Sequence, residues 1–126
     1  MKLRIKGNSM RLRISPSEMT RLLATGRVEE TIHFGPEEGA KLTYAVEHTS
    51  LASAVTLRHE GQIVAVVIST REAQEWAGSE LVGIYGEAGV GQNRLELALE
   101  KDFACLDKNE RENQDTYAHP KQGTAC

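Results

Sequence analysis

Apolar and charged side chains alternate through KLRIKGNSMRLRI, residues 2–14. Leu3 and Ile5 precede Gly7-Asn8-Ser9, and Met10, Leu12 and Ile14 follow it. A period of two on both sides of a turn triplet predicts a hairpin. Glycine and asparagine tolerate positive φ, so this triplet can reverse the chain without strain. The period then changes in SPSEMTRLLATG, residues 15–26. Ser15 can cap a helix, Pro16 suits its first position, and Glu18 completes a capping box. Met19, Leu22 and Leu23 share a face, and Gly26 provides the stop. Strands are predicted again at residues 28–34 and 42–46, separated by the turn-forming GPEEGA.

The second half repeats this design. A shift of 54 residues places Leu57 on Leu3, Arg58 on Arg4, Gly61 on Gly7, Val66 on Leu12 and Ile68 on Ile14. In the same register Ser69 falls on Ser15, Glu72 on Glu18, Trp76 on Leu22 and Val82 on Val28, and Gly78 supplies a second helix stop. Leu95, Leu97 and Leu99 then match Leu42, Tyr44 and Val46 after a slip of one residue, with EAGVGQN standing where GPEEGA stood. Capping boxes and glycine turns are common enough to repeat by chance, but caps, turns and apolar positions agree here in one register, which argues for duplication. A single unit would leave strand edges open. The expected fold is therefore mainly β with two short helices (α+β): an intrachain pseudo-dimer of hairpin-helix-hairpin units forming a small swapped-hairpin-like barrel, with a helix at either end. Residues 1–106 form the expected barrel domain (repeats 1–50 and 55–100), and residues 107–126 a polar extension.

Composition adds little to this architecture. A chain of 126 residues, 40% hydrophobic and 26% charged, suits one globular domain, and 5% aromatic content demands an aliphatic core. The longest apolar run, residues 63–68, is too short for a membrane helix. The start alternates charged and apolar residues with no signal core, so the expectation is a cytoplasmic chain without membrane contact. Charge changes the picture more. The net value is −3, yet Lys2, Arg4, Lys6, Arg11 and Arg13 crowd residues 2–13 with no acid among them. A basic hairpin is thus attached to an acidic body.

The motif Gly7-Asn8-Ser9-Met10-Arg11-Leu12-Arg13-Ile14, followed by a proline-started helix and a second hairpin, carries a resemblance. It is similar to the swapped-hairpin barrel family of bacterial antitoxins and transition-state regulators, the AbrB and MazE type, over residues 2–47. That resemblance implies nucleic-acid binding through Lys6, Asn8, Ser9 and Arg13, with Arg11 as an added charge. The second unit departs from the pattern, having Glu60-Gly61-Gln62 and Val67 where the triplet and Arg13 would fall, and Pro16 is displaced by one residue. The whole chain also resembles a group of bacterial proteins of unknown function that begin MKLRIKGNSMRLR and continue to EKDFACLD.

Physical chemistry offers two readings of the hairpin. Its cations can contact phosphates, with Asn8 or Arg13 near base edges. Alternatively, lysine and arginine simply face water on an exposed strand, which is common. His33, His48, His59 and His119 lack metal-ligand spacing, and Cys105, His119 and Cys126 fit no ligand pattern. Cys105 reads as a buried apolar residue closing the core, together with Phe103 or Leu106. GEAGVG lies between two strands, so it lacks the helix terminus of a phosphate cradle. Tyr117 and Pro120 are the candidate anchors of an otherwise solvated tail. The sequence expectation is a non-catalytic binding module, without cofactor or metal: a nucleic-acid-binding regulator or antitoxin-like protein. The alternative is a protein-interaction module using the acidic tail or a barrel face, and an enzyme ranks third. Fusion of two units makes a monomer the expected state.

Overall fold

The computed structural model describes residues 1–89, 91–104 and 115–118. β1 (Lys2–Lys6) and β2 (Ser9–Ile14) form the predicted hairpin, α1 (Pro16–Thr25) follows, and β3 (Arg27–His33) pairs antiparallel with β4 (Lys41–Thr49). The second half repeats the order with β5 (Thr56–Glu60), β6 (Ile63–Ser69), α2 (Thr70–Ala77), β7 (Gly83–Ala88) and β8 (Leu95–Lys101). The protein is mainly β with two helices. No helix among the described residues is long and apolar enough to cross a membrane.

Each sheet takes one hairpin from each half. The first sheet runs β1-β2-β8-β7 and the second β3-β4-β6-β5. Within each, two antiparallel hairpins meet along one parallel ladder, β2 with β8 and β4 with β6. The ladders correspond in register: Leu3↔Leu12 recurs as Leu57↔Val66, and Glu96 N–H donating to the Asn8 carbonyl at 3.1 Å recurs as Thr43 N–H to the Gln62 carbonyl at 2.8 Å. Gly7 and Gly61 both turn at φ 55°.

Both helices begin as the sequence predicts. Ser15 and Ser69 each accept a bond from an amide three residues on, while Glu18 and Glu72 return a carboxylate to the cap amide. Such a cap is worth ~1 kcal/mol. Leu22 and Trp76 occupy matching places, both fully buried, beside Leu12, Ile14, Val46, Val66, Ile68 and Leu99. Burying each of these side chains stabilises the fold by ~1.5–3 kcal/mol.

Three expectations are corrected. The ladders stop at β1, β7, β3 and β5, so the two sheets do not close into a barrel. Side chains occupy the seams instead: Val55 lies against Gly86, and the Met1 ammonium reaches Glu30 Oε1 at 2.9 Å. The helices, expected at either end, touch each other. α1 runs from the Ile14↔Lys101 pair to the Arg27↔Glu47 pair, next to Thr49↔Ser69, where α2 begins. Both helices therefore cross between sheets at the same end. His48 ties them, with Nε2–H donating to the Leu22 carbonyl and Nδ1 accepting from Thr70, each at 3.0 Å. Third, Ile84 and not Val82 is the counterpart of Val28: Val28↔Val46 recurs as Ile84↔Leu99, while Val82 stays exposed. The shorter α2 and its longer exit loop shift the register.

Of the tail, Tyr117 is anchored on the end of the first sheet. It forms a parallel bridge to Phe103, its amide donates to the Asp102 carbonyl at 2.7 Å, and its ring stands 5.8 Å from the Phe103 ring. Asp115 accepts from the Ser17 hydroxyl at 2.5 Å. Cys105, Leu106, His119, Pro120 and Cys126 lie outside the described residues.

Two stability predictions follow from this packing. A Cβ on Gly86 would collide with Val55. Gly86→Ala should cost ~1–3 kcal/mol in urea unfolding, and adding Val55→Ala should recover part of the loss. Glu18 is buried and accepts the Met1 ammonium at 2.7 Å. Burial alone would raise its pKa, but the ammonium and the Ser15 amide outweigh it, and the carboxyl titrates below the usual range. Its contribution is therefore present above the ordinary glutamate pKa and lost as pH falls through the lower folded value. Glu18→Gln should destabilise by ~1.5–3 kcal/mol near neutrality, and the deficit should vanish in acid.

Candidate binding trough on the first sheet

Strand register decides which side chains share the outer face of the first sheet. Three rows cross it: Lys2-Arg13-Glu100-Gly83, Arg4-Arg11-Ala98-Tyr85, and Lys6-Ser9-Glu96-Glu87. The β1/β2 side is basic, the β8/β7 side is acidic, and small residues lie between them.

The chain itself engages much of the predicted site. Asn8 Nδ2 donates to the Arg94 carbonyl at 2.5 Å, and Ser9 Oγ to the Lys6 carbonyl at 2.6 Å. Arg11 Nε and Arg13 Nε approach Glu100 Oε1 at 3.2 and 3.5 Å, and Tyr85 OH donates to Glu100 Oε2 at 2.6 Å. Burial, then the Glu100 hydrogen bond and charge, push the Tyr85 phenol up to about 12. Lys2 reaches Asp102 at 2.8 Å. Arg4 and Lys6 are exposed and make no ion pair among the described residues. Glu96 also has no cationic partner there, and Glu87 holds Arg94 at 3.3 Å.

A cavity of about 580 Å³ lies over this face, bordered by Arg4, Lys6, Arg11, Tyr85, Glu87 and Glu96. The structure thus gathers Lys6, Asn8, Ser9, Arg11 and Arg13 on one hairpin, and of these five only the Lys6 side chain has no partner among the described residues. Sequence reading passed over Arg4, although its phase with Lys2 and Lys6 was signal enough. Tyr85, Glu87 and Glu96 carried no local signal, because only the β2–β8 ladder brings them across from the hairpin.

The second sheet shows the same frame filled. Its matching rows are Thr56-Val67-Glu47-Arg27, Arg58-Ala65-Ala45-Glu29 and Glu60-Ile63-Thr43-Thr31. Arg58 takes the place of Arg4 and reaches over β6 to Glu47, which also holds Arg27 at 3.0 Å. Arg58 meets Glu60 and Arg27 meets Glu29 as well, so every charge in these rows is paired. Ala45 and Ala65 beneath are fully buried, whereas Ala98 on the first sheet is half-buried. Glu47 corresponds to Glu100. On the first sheet Arg11 and Arg13, standing where Ala65 and Val67 stand on the second, hold Glu100 instead, and Arg4 is left out.

Other candidate chemistry stays dispersed. His33 is exposed on β3, and His59 Nε2 lies 3.1 Å from the Gly61 carbonyl. Among the described residues no three His, Cys, Asp or Glu side chains are grouped to hold a metal ion.

Residues 1–121, which include both sheets and every residue bordering the trough, match a family described as a family of unknown function (DUF7009). The chain belongs to this family. No curated protein and no solved structure matches it. For this member of the family, charge, exposure and concavity coincide on the outer face of the first sheet.

Removing the Glu100 charge should be readable at Tyr85. In Glu100→Gln the phenol should titrate well below about 12, towards the ordinary tyrosine range, because burial then acts without the carboxylate. The difference between phenolate titrations with and without Tyr85→Phe isolates this residue.

Proposed function

We propose that this chain is a non-catalytic binding module that takes a partner polypeptide on the outer face of its first sheet. The observation that supports this reading is the open trough, where, among the described residues, Arg4 and Lys6 have no counter-ion and Glu96 opposite them has no cation. A surface offering both signs suits a partner that carries both signs.

Nucleic acid, which the swapped-hairpin resemblance raises, is the second reading, and the five cations of the hairpin favour it. Three features weigh against it. Glu96 and Glu100 lie one strand from the β2 cations, a spacing of ~5 Å, well inside the Debye length of ~8 Å. Arg11 and Arg13 share the Glu100 carboxylate, which offsets one of their two charges. Asn8 and Arg13, the side chains suited to base edges, are held by Arg94 and Glu100.

Display selection with random peptides against the immobilised protein separates the two readings. Enrichment of a charged motif is expected, with affinity reduced about tenfold by Arg4→Ala combined with Lys6→Ala, a loss of ~1.4 kcal/mol. Absence of any motif would overturn the polypeptide reading. So would duplex DNA binding whose salt slope falls by about 0.9 for each hairpin cation removed, and nucleic acid would then take its place.

A further inference from the structure

The two sheets pose one geometric question with two outcomes. On the second, a cationic side chain from the edge strand crosses the alanine floor and ends on a carboxylate, and the trough is closed. On the first, the corresponding Arg4 has lost its carboxylate to Arg11 and Arg13, and the floor stays open. Among the described residues, what the fold supplies on one side is missing on the other: a cation over the floor and an anion for Arg4. Sheet geometry sets the spacing of these requirements. β1 and β8 are two strands apart, ~10 Å.

Resting on the binding-module reading, we propose that the occupant is a dipolar peptide segment. It carries an acidic and a basic side chain two positions apart and lies across the strands. Its carboxylate sits on Arg4 and Lys6, and its cation passes over Ser9 to Glu96 on β8, just as Arg58 passes over β6 to a carboxylate on the second sheet. Residues i and i+2 of an extended peptide project to one side ~6.6 Å apart, and the length of the two side chains covers the rest. A cavity of about 580 Å³ holds a segment of this size. Charge complementarity selects this partner over a uniformly acidic one, which would leave Glu96 without a cation and bring a second carboxylate against it.

The test uses acetyl-Asp-Gly-Arg-amide as the probe, titrated into isotope-labelled full-length protein. Acetyl-Asp-Gly-Asp-amide and acetyl-Arg-Gly-Arg-amide serve as controls. The dipolar peptide alone should give saturable shifts, in the millimolar range, at the amides of Arg4, Ser9, Glu96 and Ala98. Arg4→Ala and Glu96→Gln should each weaken binding about tenfold. Arg11→Ala with Arg13→Val installs the residues of the second sheet, frees Glu100 for Arg4, closes the trough and should abolish binding. Adding Glu100→Gln to that pair should reopen the trough and restore binding, a recovery that simple loss of charge would not give. Equal binding of the three peptides, absence of saturation, or no rescue by Glu100→Gln would each overturn the proposal. If display selection yields a motif without this dipole, the module reading stands and the dipolar assignment falls; if it yields none, both fall.

Discussion

The two parallel ladders, β2 with β8 and β4 with β6, are the constraint on which the rest of the molecule depends. Each joins a hairpin of one half to a hairpin of the other, so neither half can complete a sheet alone. The residues on these four strands supply much of the fully buried core: Leu12, Ile14, Val46, Val66, Ile68 and Leu99. Hydrogen bonding and apolar burial therefore depend on the same exchange. An isolated hairpin is marginal in water, and it becomes stable here because the exchange provides both a neighbouring strand and a covered face.

The ladders also determine what the outer surfaces can do. Register brings Glu100 beside Arg13 and Glu47 beside Val67, so one carboxylate finds two arginines on its own sheet while the other must take Arg27 and Arg58. Exposed ion pairs contribute little to stability, typically ~0.2–1 kcal/mol each. Their consequence here lies in occupancy. An arginine that spans three strands fills a trough, and an arginine without a partner leaves one open.

The hairpin's chemistry shifts once it is placed in the sheet. As a sequence, Lys2, Arg4, Lys6, Arg11 and Arg13 form an uninterrupted basic patch. In the fold, Asp102 pairs with Lys2, Glu100 is shared between Arg11 and Arg13, and the turn residues Asn8 and Ser9 spend their side chains on backbone carbonyls. Arg4 and Lys6 on the edge strand have no counter-ion among the described residues, and such edge charges also discourage edge-to-edge aggregation of β1.

Local rules determined the elements. The capping boxes of Ser15 and Ser69, the turns at Gly7 and Gly61, and the strand periods all act within a few residues, so they were legible in the sequence, as were the buried pair Leu22 and Trp76 and the mainly β class. Closure, helix placement and the counterpart of Val28 were decided by the tertiary structure, because they depend on how strands from different halves align and on a helix exit whose length local patterns do not encode. The same holds for the trough. Arg4 could be read from alternation alone, whereas Tyr85, Glu87, Glu96 and Glu100 reach the basic hairpin only through a parallel ladder between segments some eighty residues apart. Side-chain type and period are properties of neighbours along the chain; charge pairing and concavity are properties of neighbours in space.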